Sequence, residues 1–348
     1  MRLEVQAAVR EAEARWWANP SSPHRAGREA AMAVDRARQQ VAALVGRDPR
    51  ALVFTSGATE ANALALHAAA GEGTLLVSAV EHPSVLAWSD HQIPVDADGV
   101  VRLDALDRLL GGPRRFSLVS VMAASNESGV IQPIAEISRL CRAHGVPLHC
   151  DATQAPGRVA IPVEPELLTL SAHKFGGPKG VGLLVSALGL RPLLRGGSQE
   201  RGRRGGTLNV PGIVGMGVAA AGLERCLADD RDRIEALARL HGARVVGAGA
   251  PRLPNTSLLL FPEPGDLIVM ALDLEGVQTS TGAACASGAA EASPALRAMG
   301  LSGVPVRFSL GPGNDVGLAL SALGRVLRQI RGDSAPGEGG QAGSPCAS

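Results

Sequence analysis

In Ala51-Leu52-Val53-Phe54-Thr55-Ser56-Gly57-Ala58-Thr59-Glu60, four apolar residues run into a Thr-Ser-Gly turn, and a helix-forming stretch follows from 58 to 70. An unbroken apolar run of this length suits a strand buried on both faces. The pattern recurs, with strand-like runs at 74–78, 116–122, 146–150, 167–170 and 181–185. A helix is expected between several of them, as at 134–144, and another precedes the quoted stretch at 22–45, capped by Ser21 or Ser22. Strands alternating with helices predict an α/β fold with a mostly parallel sheet covered on both faces.

The pattern changes near Asp230. A charged helix at 231–240, a strand at 256–261, a Gly/Ala/Ser-rich stretch around Cys285, an Arg-bearing strand at 304–310 and a helix at 316–330 read as a smaller α+β domain. The expected division is a large domain over 1–229, a small one over 230–330, and a disordered Gly/Ser/Pro/Ala tail over 331–348. The 348 residues suffice for two buried cores, and 45% hydrophobic with 19% charged residues is ordinary for a globular protein. A net charge of +1 calls for neither nucleic acid nor an anionic membrane. No secretory signal and no run of about 18 apolar residues is visible, so no membrane span is expected. Five dispersed cysteines then read as reduced thiols in the cytoplasm.

In a parallel sheet, ligands sit beyond the carboxyl ends of the strands. Thr59, His82, Asn126, Asp151 and Lys174 all fall there, which points to one shared pocket. Lys174, after an apolar strand and before glycines, could form a Schiff base with an aldehyde cofactor or be a surface lysine. Asp151 closes another apolar strand and needs a cationic partner, either a protonated pyridine nitrogen or an arginine. Taken together, the two suit a pyridoxal phosphate cofactor. His149-Cys150-Asp151 alternates across a strand and lacks metal-ligand spacing. Thr55 to Glu60 opens a helix whose free N–H groups suit a phosphate. With aromatic residues at only 2% and no tyrosine, His82 is the candidate to stack on a cofactor ring and to act as acid or base. Asn126 and Gln154 are candidate hydrogen-bonding groups, and Arg307 is a candidate carboxylate clamp or a structural salt bridge. The basic stretch 199–207 reads as a solvated loop, or as a phosphate contact through Thr207. Cys285 stands among small residues in a loop expected to be exposed; Cys141 reads as core, and Cys226 as helical.

The ordered set Thr-Ser-Gly-Ala-Thr-Glu (55–60), Glu-His-Pro-Ser-Val (81–85), Asn-Glu-Ser-Gly (126–129), Asp-Ala-Thr-Gln (151–154), Ser-Ala-His-Lys-Phe-Gly-Gly-Pro-Lys-Gly (171–180), Gln-Glu-Arg-Gly-Arg-Arg-Gly-Gly-Thr (199–207), the Cys285 loop and Arg-Phe-Ser-Leu-Gly (307–311) resembles the bacterial cysteine desulfurases. These are fold-type I pyridoxal phosphate enzymes of the class V aminotransferase group, and the Cys285 loop is similar to that of their long-loop subgroup. The resemblance implies that Lys174 holds the cofactor and moves protons at the substrate Cα, Asp151 pairs with the ring nitrogen, and His82 stacks on the ring and handles the thiol proton. It further implies Gln154 on the phenolic oxygen, and Ala58, Thr59, Ser171 and His173 on the phosphate. Asn126 lies beside the cofactor and substrate carboxylate, Arg307 binds that carboxylate, and Thr207 reaches the phosphate of a partner subunit in a homodimer. Cys285 would take sulfur from L-cysteine as a persulfide, leaving L-alanine, and pass it to an acceptor protein of iron–sulfur assembly or of tRNA or cofactor thiolation.

Two departures stand out. Ala172 replaces the usual glycine before His-Lys, and Met1-Arg2-Leu3 begins just after the point where the family has a short strand and an Ala-Thr-Thr turn bordering the site. The expectation is either a reading frame that starts further upstream or a site lacking that wall. A selenocysteine lyase or related aminotransferase, and a catalytically silent partner protein, are the competing readings.

Overall fold

A computed structural model describes residues 1–70, 73–226, 228–282 and 293–332. Cys285, Cys346 and the expected tail from 333 onward lie outside the described residues. In chain order the helices are α1 (Leu3–Arg15), α2 (Arg25–Val45), α3 (Ala58–Ala70), α4 (Pro83–Leu86), α5 (Leu103–Leu110), α6 (Ile134–Ala143), α7 (Val210–Ala221), α8 (Asp229–Leu240), α9 (Gly265–Leu274), α10 (Pro294–Ala298) and α11 (Val316–Arg331). The strands are β1 (Leu52–Thr55), β2 (Thr74–Ser78), β3 (Gln92–Ile93), β4 (Phe116–Ser120), β5 (Leu148–Asp151), β6 (Leu167–Ser171), β7 (Gly182–Ser186), β8 (Arg244–Val245), β9 (Thr256–Leu260) and β10 (Val306–Ser309).

Seven strands form one sheet in the order β1-β7-β6-β5-β4-β2-β3. The pairings from β3 through β6 are parallel, and β7 is antiparallel to both its neighbours. The apolar runs are buried on both faces, as their composition predicts. Leu52, Phe54, Leu76, Leu168, Leu170, Leu183 and Val185 enter one core with α2, α6 and α7, whereas Val53, Leu75, Val77, Leu167 and Leu184 enter a second core with α3. Side chains alternate between faces, so apolar residues are needed at odd and even positions of a strand alike. This is the expected α/β architecture. A three-stranded antiparallel sheet, β10-β9-β8, builds a separate core with α8, α9 and α11.

The antiparallel strand β7 brings two active loops together. Gly182 pairs with Thr55 at the end of β1 and with Ser171 at the end of β6. The turns after these two strands therefore emerge side by side. A Cβ on Gly182 would lie 2.5 Å from the Gly57 carbonyl carbon, so the turn closes onto β7 only because this residue has no side chain.

Strand β1 is an edge strand, and side chains cover its open side. Glu200 Oε2 accepts the Phe54 N–H at 3.0 Å, while Leu52 O accepts from Arg38 Nη1 and Arg203 Nη2, each at 2.9 Å. Arg38 Nη2 reaches Glu200 Oε1 at 2.5 Å in a buried ion pair. The 199–207 stretch is thus not a freely solvated loop. Glu200 and Arg201 hold positive φ of 49° and 58°, a left-handed backbone that seats the Glu200 carboxylate under β1.

Three other expectations change. Helix α1 was not anticipated: its charged sequence buries only Val5 and Ala12. The N-cap of α2 is His24, whose Nδ1 accepts from Gly27 N at 3.2 Å, because the helix starts at Arg25. Cys226 lies beyond the end of α7, with its N–H on Gly157 O. Cys141 is core, as expected, and burial pushes its thiol up to about 12.

Replacing Glu200 with Ala strands a buried guanidinium and the Phe54 N–H. Urea unfolding of Glu200→Ala should show a loss of about 3–5 kcal/mol.

Candidate active site

A cavity of about 500 Å³ opens at the carboxyl ends of the parallel strands. Ala58 and Thr59 border it from the first turn of α3, whose N–H groups have no partner within the helix. Glu60 also borders the cavity, with its carboxylate tied to Ser56 N–H at 2.7 Å and Arg204 at 2.8 Å. Ser171 and His173 approach the same end of the cavity from the turn after β6, with Ser171 Oγ 2.9 Å from His173 Nδ1. A hydroxyl, an imidazole and a helix N-terminus together make an anion-binding corner.

Lys174 enters from the same turn. Ala172, the unusual residue of this segment, is fully buried, and a Cβ at Gly177 would fall 2.8 Å from its own. Gly177 therefore makes room for Ala172, and the turn keeps its shape. The Lys174 amine is held below its ordinary value by burial and by the nearby charges of Arg307 and Arg158, against the pull of Asp151. A larger neutral fraction makes it a better nucleophile.

Asp151 stands at the end of β5, 7% exposed. Its Oδ1 accepts from Thr153 N at 3.0 Å and its Oδ2 from Asn62 Nδ2 at 2.8 Å. No arginine or lysine pairs with it among the described residues, so the structural alternative of an Asp–Arg bridge falls away. His82 lines the cavity from the N-cap of α4. Gln154 follows β5, and its Oε1 accepts from Arg158 Nη1 at 2.6 Å. That bond turns the amide nitrogen of Gln154 outward as a donor. Arg158 Nη2 also holds the Lys174 carbonyl at 2.9 Å.

On the opposite wall, Arg307 of β10 donates through Nη1 to Asn126 O at 2.9 Å and Gly282 O at 2.7 Å. Its Nε is buried with no partner among the described residues. The Nε edge of the guanidinium is therefore available for a carboxylate. Asn126 borders the cavity beside it. Of the sequence candidates among the described residues, only Thr207 stands elsewhere: it is exposed and lines a separate cleft with Trp16 and Trp17.

Four residues escaped the sequence reading. Arg158 sits four positions after Gln154, Asn62 lies one helical turn into α3, and Glu127 is buried with Oε2 2.5 Å from Ser293 Oγ. The fourth, Glu81, immediately precedes His82 and borders the cavity. Its Oε1 accepts from Ser78 Oγ at 2.5 Å and Met122 N at 2.6 Å, and its Oε2 is buried without a partner among the described residues. Burial, with Asp151 adding, pushes its carboxyl up to about 8, so Glu81 is protonated at neutral pH. The fully buried His149 is the mirror case: its ring bridges Ser120 and Thr169, and burial pushes it down to about 4.

These two groups tilt stability in opposite windows. The unfolded chain releases the Glu81 proton near 4.5 while the folded chain keeps it to about 8, so this contribution is complete below 4.5 and lost as pH rises to 8. The His149 contribution is lost as pH falls from 6.5 to about 4, where only the unfolded chain takes up a proton. Glu81→Gln removes the first loss. Urea midpoints for this variant should exceed the parent's increasingly from pH 5 to 8, with a gain on the order of 3 kcal/mol at pH 7.

Comparison with known proteins agrees with this geometry. The family model for aminotransferase class V matches residues 2–316. A cysteine desulfurase of Cereibacter sphaeroides is 42% identical over 90% of this chain and 89% of its own length. The solved NifS-like protein of Rickettsia africae superposes with a TM-score of 0.86 at 28% identity, covering 95% of this chain and 96% of the other. SspA, solved in complex with cysteine, superposes with a TM-score of 0.79 at 29% identity over 90% of this chain and 96% of that one. With an anion corner, a lysine, an unpaired aspartate and an arginine converging on one cavity, the chain belongs to the class V aminotransferase family, among its cysteine desulfurases.

Proposed function

We propose that this protein converts L-cysteine to L-alanine with pyridoxal 5'-phosphate and collects the sulfur as a persulfide on Cys285 for transfer to an acceptor protein. The observation that carries the reading is the convergence of Lys174, Asp151 and Arg307 on one cavity whose lining residues also carry buried polar atoms with no partner among the described residues: Glu81 Oε2, Thr153 Oγ1 and Arg307 Nε. Such atoms are costly unless a polar ligand meets them, and the donor set fits a phosphorylated pyridine aldehyde. When bound, the cofactor supplies an electron sink for the substrate Cα.

The residues of the chain then divide the work. The first turn of α3 with Thr59, Ser171 and His173 takes the phosphate, and the Gln154 amide donates to the phenolic oxygen. Asp151 keeps the ring nitrogen protonated. Lys174 anchors the cofactor and, once displaced by substrate, carries a proton to and from Cα. Arg307 and Asn126 hold the substrate carboxylate, which fixes the Cα bonds relative to the ring. The Cys285 thiolate attacks the substrate sulfur: an S–S bond forms, and the C–S bond breaks with its electron pair passing to carbon, which takes up protons to become alanine. Cys285 itself lies outside the described residues.

The position of Thr207, exposed and away from the cavity of its own chain, supports a homodimer in which it contacts the partner's phosphate. We also infer a large unit over 1–229 and a small unit over 230–330, supported by the separate core around β8–β10. Among the described residues no helix is long and apolar enough to cross a membrane; the dispersed cysteines are the ground for a cytoplasmic setting. The acceptor is a protein of iron–sulfur assembly or of thiolation chemistry.

The purified protein should absorb at the violet edge of the visible and form alanine and sulfide equivalents from L-cysteine. Lys174→Ala should lose both the band and the product, and a colourless, inactive parent chain supplied with the cofactor would sink the proposal. Arg307→Lys keeps the charge but loses the fork. Steady-state kinetics should show KM for cysteine raised roughly 10- to 100-fold, with a smaller change in kcat.

A further inference from the structure

The surroundings of the His82 ring specify where its proton sits. The backbone N–H of Ser84 donates to His82 Nδ1 at 3.1 Å, and Ser84 Oγ lies 2.8 Å from the same nitrogen. An amide N–H can only donate, so Nδ1 is an acceptor and the neutral ring carries its proton on Nε2. Ser84 Oγ is in turn 3.0 Å from Asn62 Nδ2, and that amide nitrogen is 2.8 Å from Asp151 Oδ2. An ionised carboxylate only accepts, which fixes the nitrogen rather than the oxygen of the Asn62 amide toward Asp151. Both Asn62 N–H bonds are then assigned, one to Asp151 and one to Ser84. Having accepted from Asn62, the Ser84 hydroxyl has its own proton to give to Nδ1. Asn62 is fully buried, so this arrangement has little room to exchange with water.

We propose that Asn62 and Ser84 are positioning residues that hold His82 as the Nε2–H tautomer and link its ring to the Asp151 carboxylate. The consequence for the desulfurase reading, on which this step rests, is directional. The neutral ring presents Nε2–H to the substrate as a hydrogen-bond donor, while its one basic lone pair, on Nδ1, is held by Ser84. The charged groups acting on the ring are Asp151 from β5 and Lys174 from the turn after β6. Burial and Lys174 favour the neutral ring, and Asp151 opposes them. The Ser84 hydroxyl adds to the neutral side, because a donor to Nδ1 is lost when Nδ1 takes a proton.

The tautomer can be read directly by nitrogen NMR of the full chain labelled with 15N-histidine and free of cofactor. The chain has 8 histidines, and the His82 signals are those missing from His82→Gln. The parent should show an unprotonated Nδ1 and a protonated Nε2. Ser84→Ala keeps the backbone donor and so the Nε2–H tautomer, but its His82 titration should shift upward by about half a unit to one unit; Ser84→Thr should restore the parent titration, and Asn62→Ala should shift in the same direction by less. A proton on Nδ1 in the parent, or an unshifted His82 titration in Ser84→Ala, would overturn the proposal. With the cofactor restored, the acid limb of alanine formation should move upward by the same amount in Ser84→Ala. An inactive parent that still shows the Nε2–H pattern would sink the desulfurase reading while supporting the positioning role, so the two failures are told apart.

Discussion

The carboxylate of Asp151, buried at the end of β5 with one backbone and one amide donor, sets the electrostatics of everything around it. Its charge has no arginine to answer it among the described residues. Neighbours adjust instead. Glu81 keeps its proton, while Lys174 and His82 feel an attraction that opposes the burial driving them toward neutrality. A site holding one unbalanced negative charge in an apolar sheet end is suited to a cationic ring nitrogen, and the surrounding groups are arranged to leave that role open.

The sheet makes this arrangement possible through a single reversal of direction. Because β7 runs against both β1 and β6, the anion-binding turn and the lysine turn leave the sheet together at Gly182. The other wall comes from β10, whose Arg307 is steadied by two carbonyls, one of them from the loop after β4. Three separate chain segments thus meet at one cavity, each fixed by backbone pairing before any side chain is placed.

Much of this was legible in the sequence because strand ends leave clear marks. An apolar run followed by Asp151, or by the turn to Lys174, states both the strand and the position of the polar residue at its mouth. What could not be read was partnership across the fold. Nothing near Glu200 announces that it will pair with Arg38 and receive the Phe54 N–H, so a buried ion pair looked like a solvated loop. Asn62 looked like one more helix residue because its partners, Ser84 and Asp151, are distant in sequence. Helix α1 was missed for another reason: two buried residues in thirteen give too weak an apolar stripe to register.

The side chains over β1 have a meaning beyond this molecule's own folding. A sheet edge with free N–H and C=O groups is a template on which a second chain can grow, and long apolar edge strands invite such growth. Here Leu52 O and Phe54 N are already engaged by Arg38, Arg203 and Glu200, and the opposite edge, β3, is only two residues long. A sheet whose interior strands are largely apolar is therefore closed to intermolecular extension at both margins, and the folded chain can accumulate without seeding fibrous assembly.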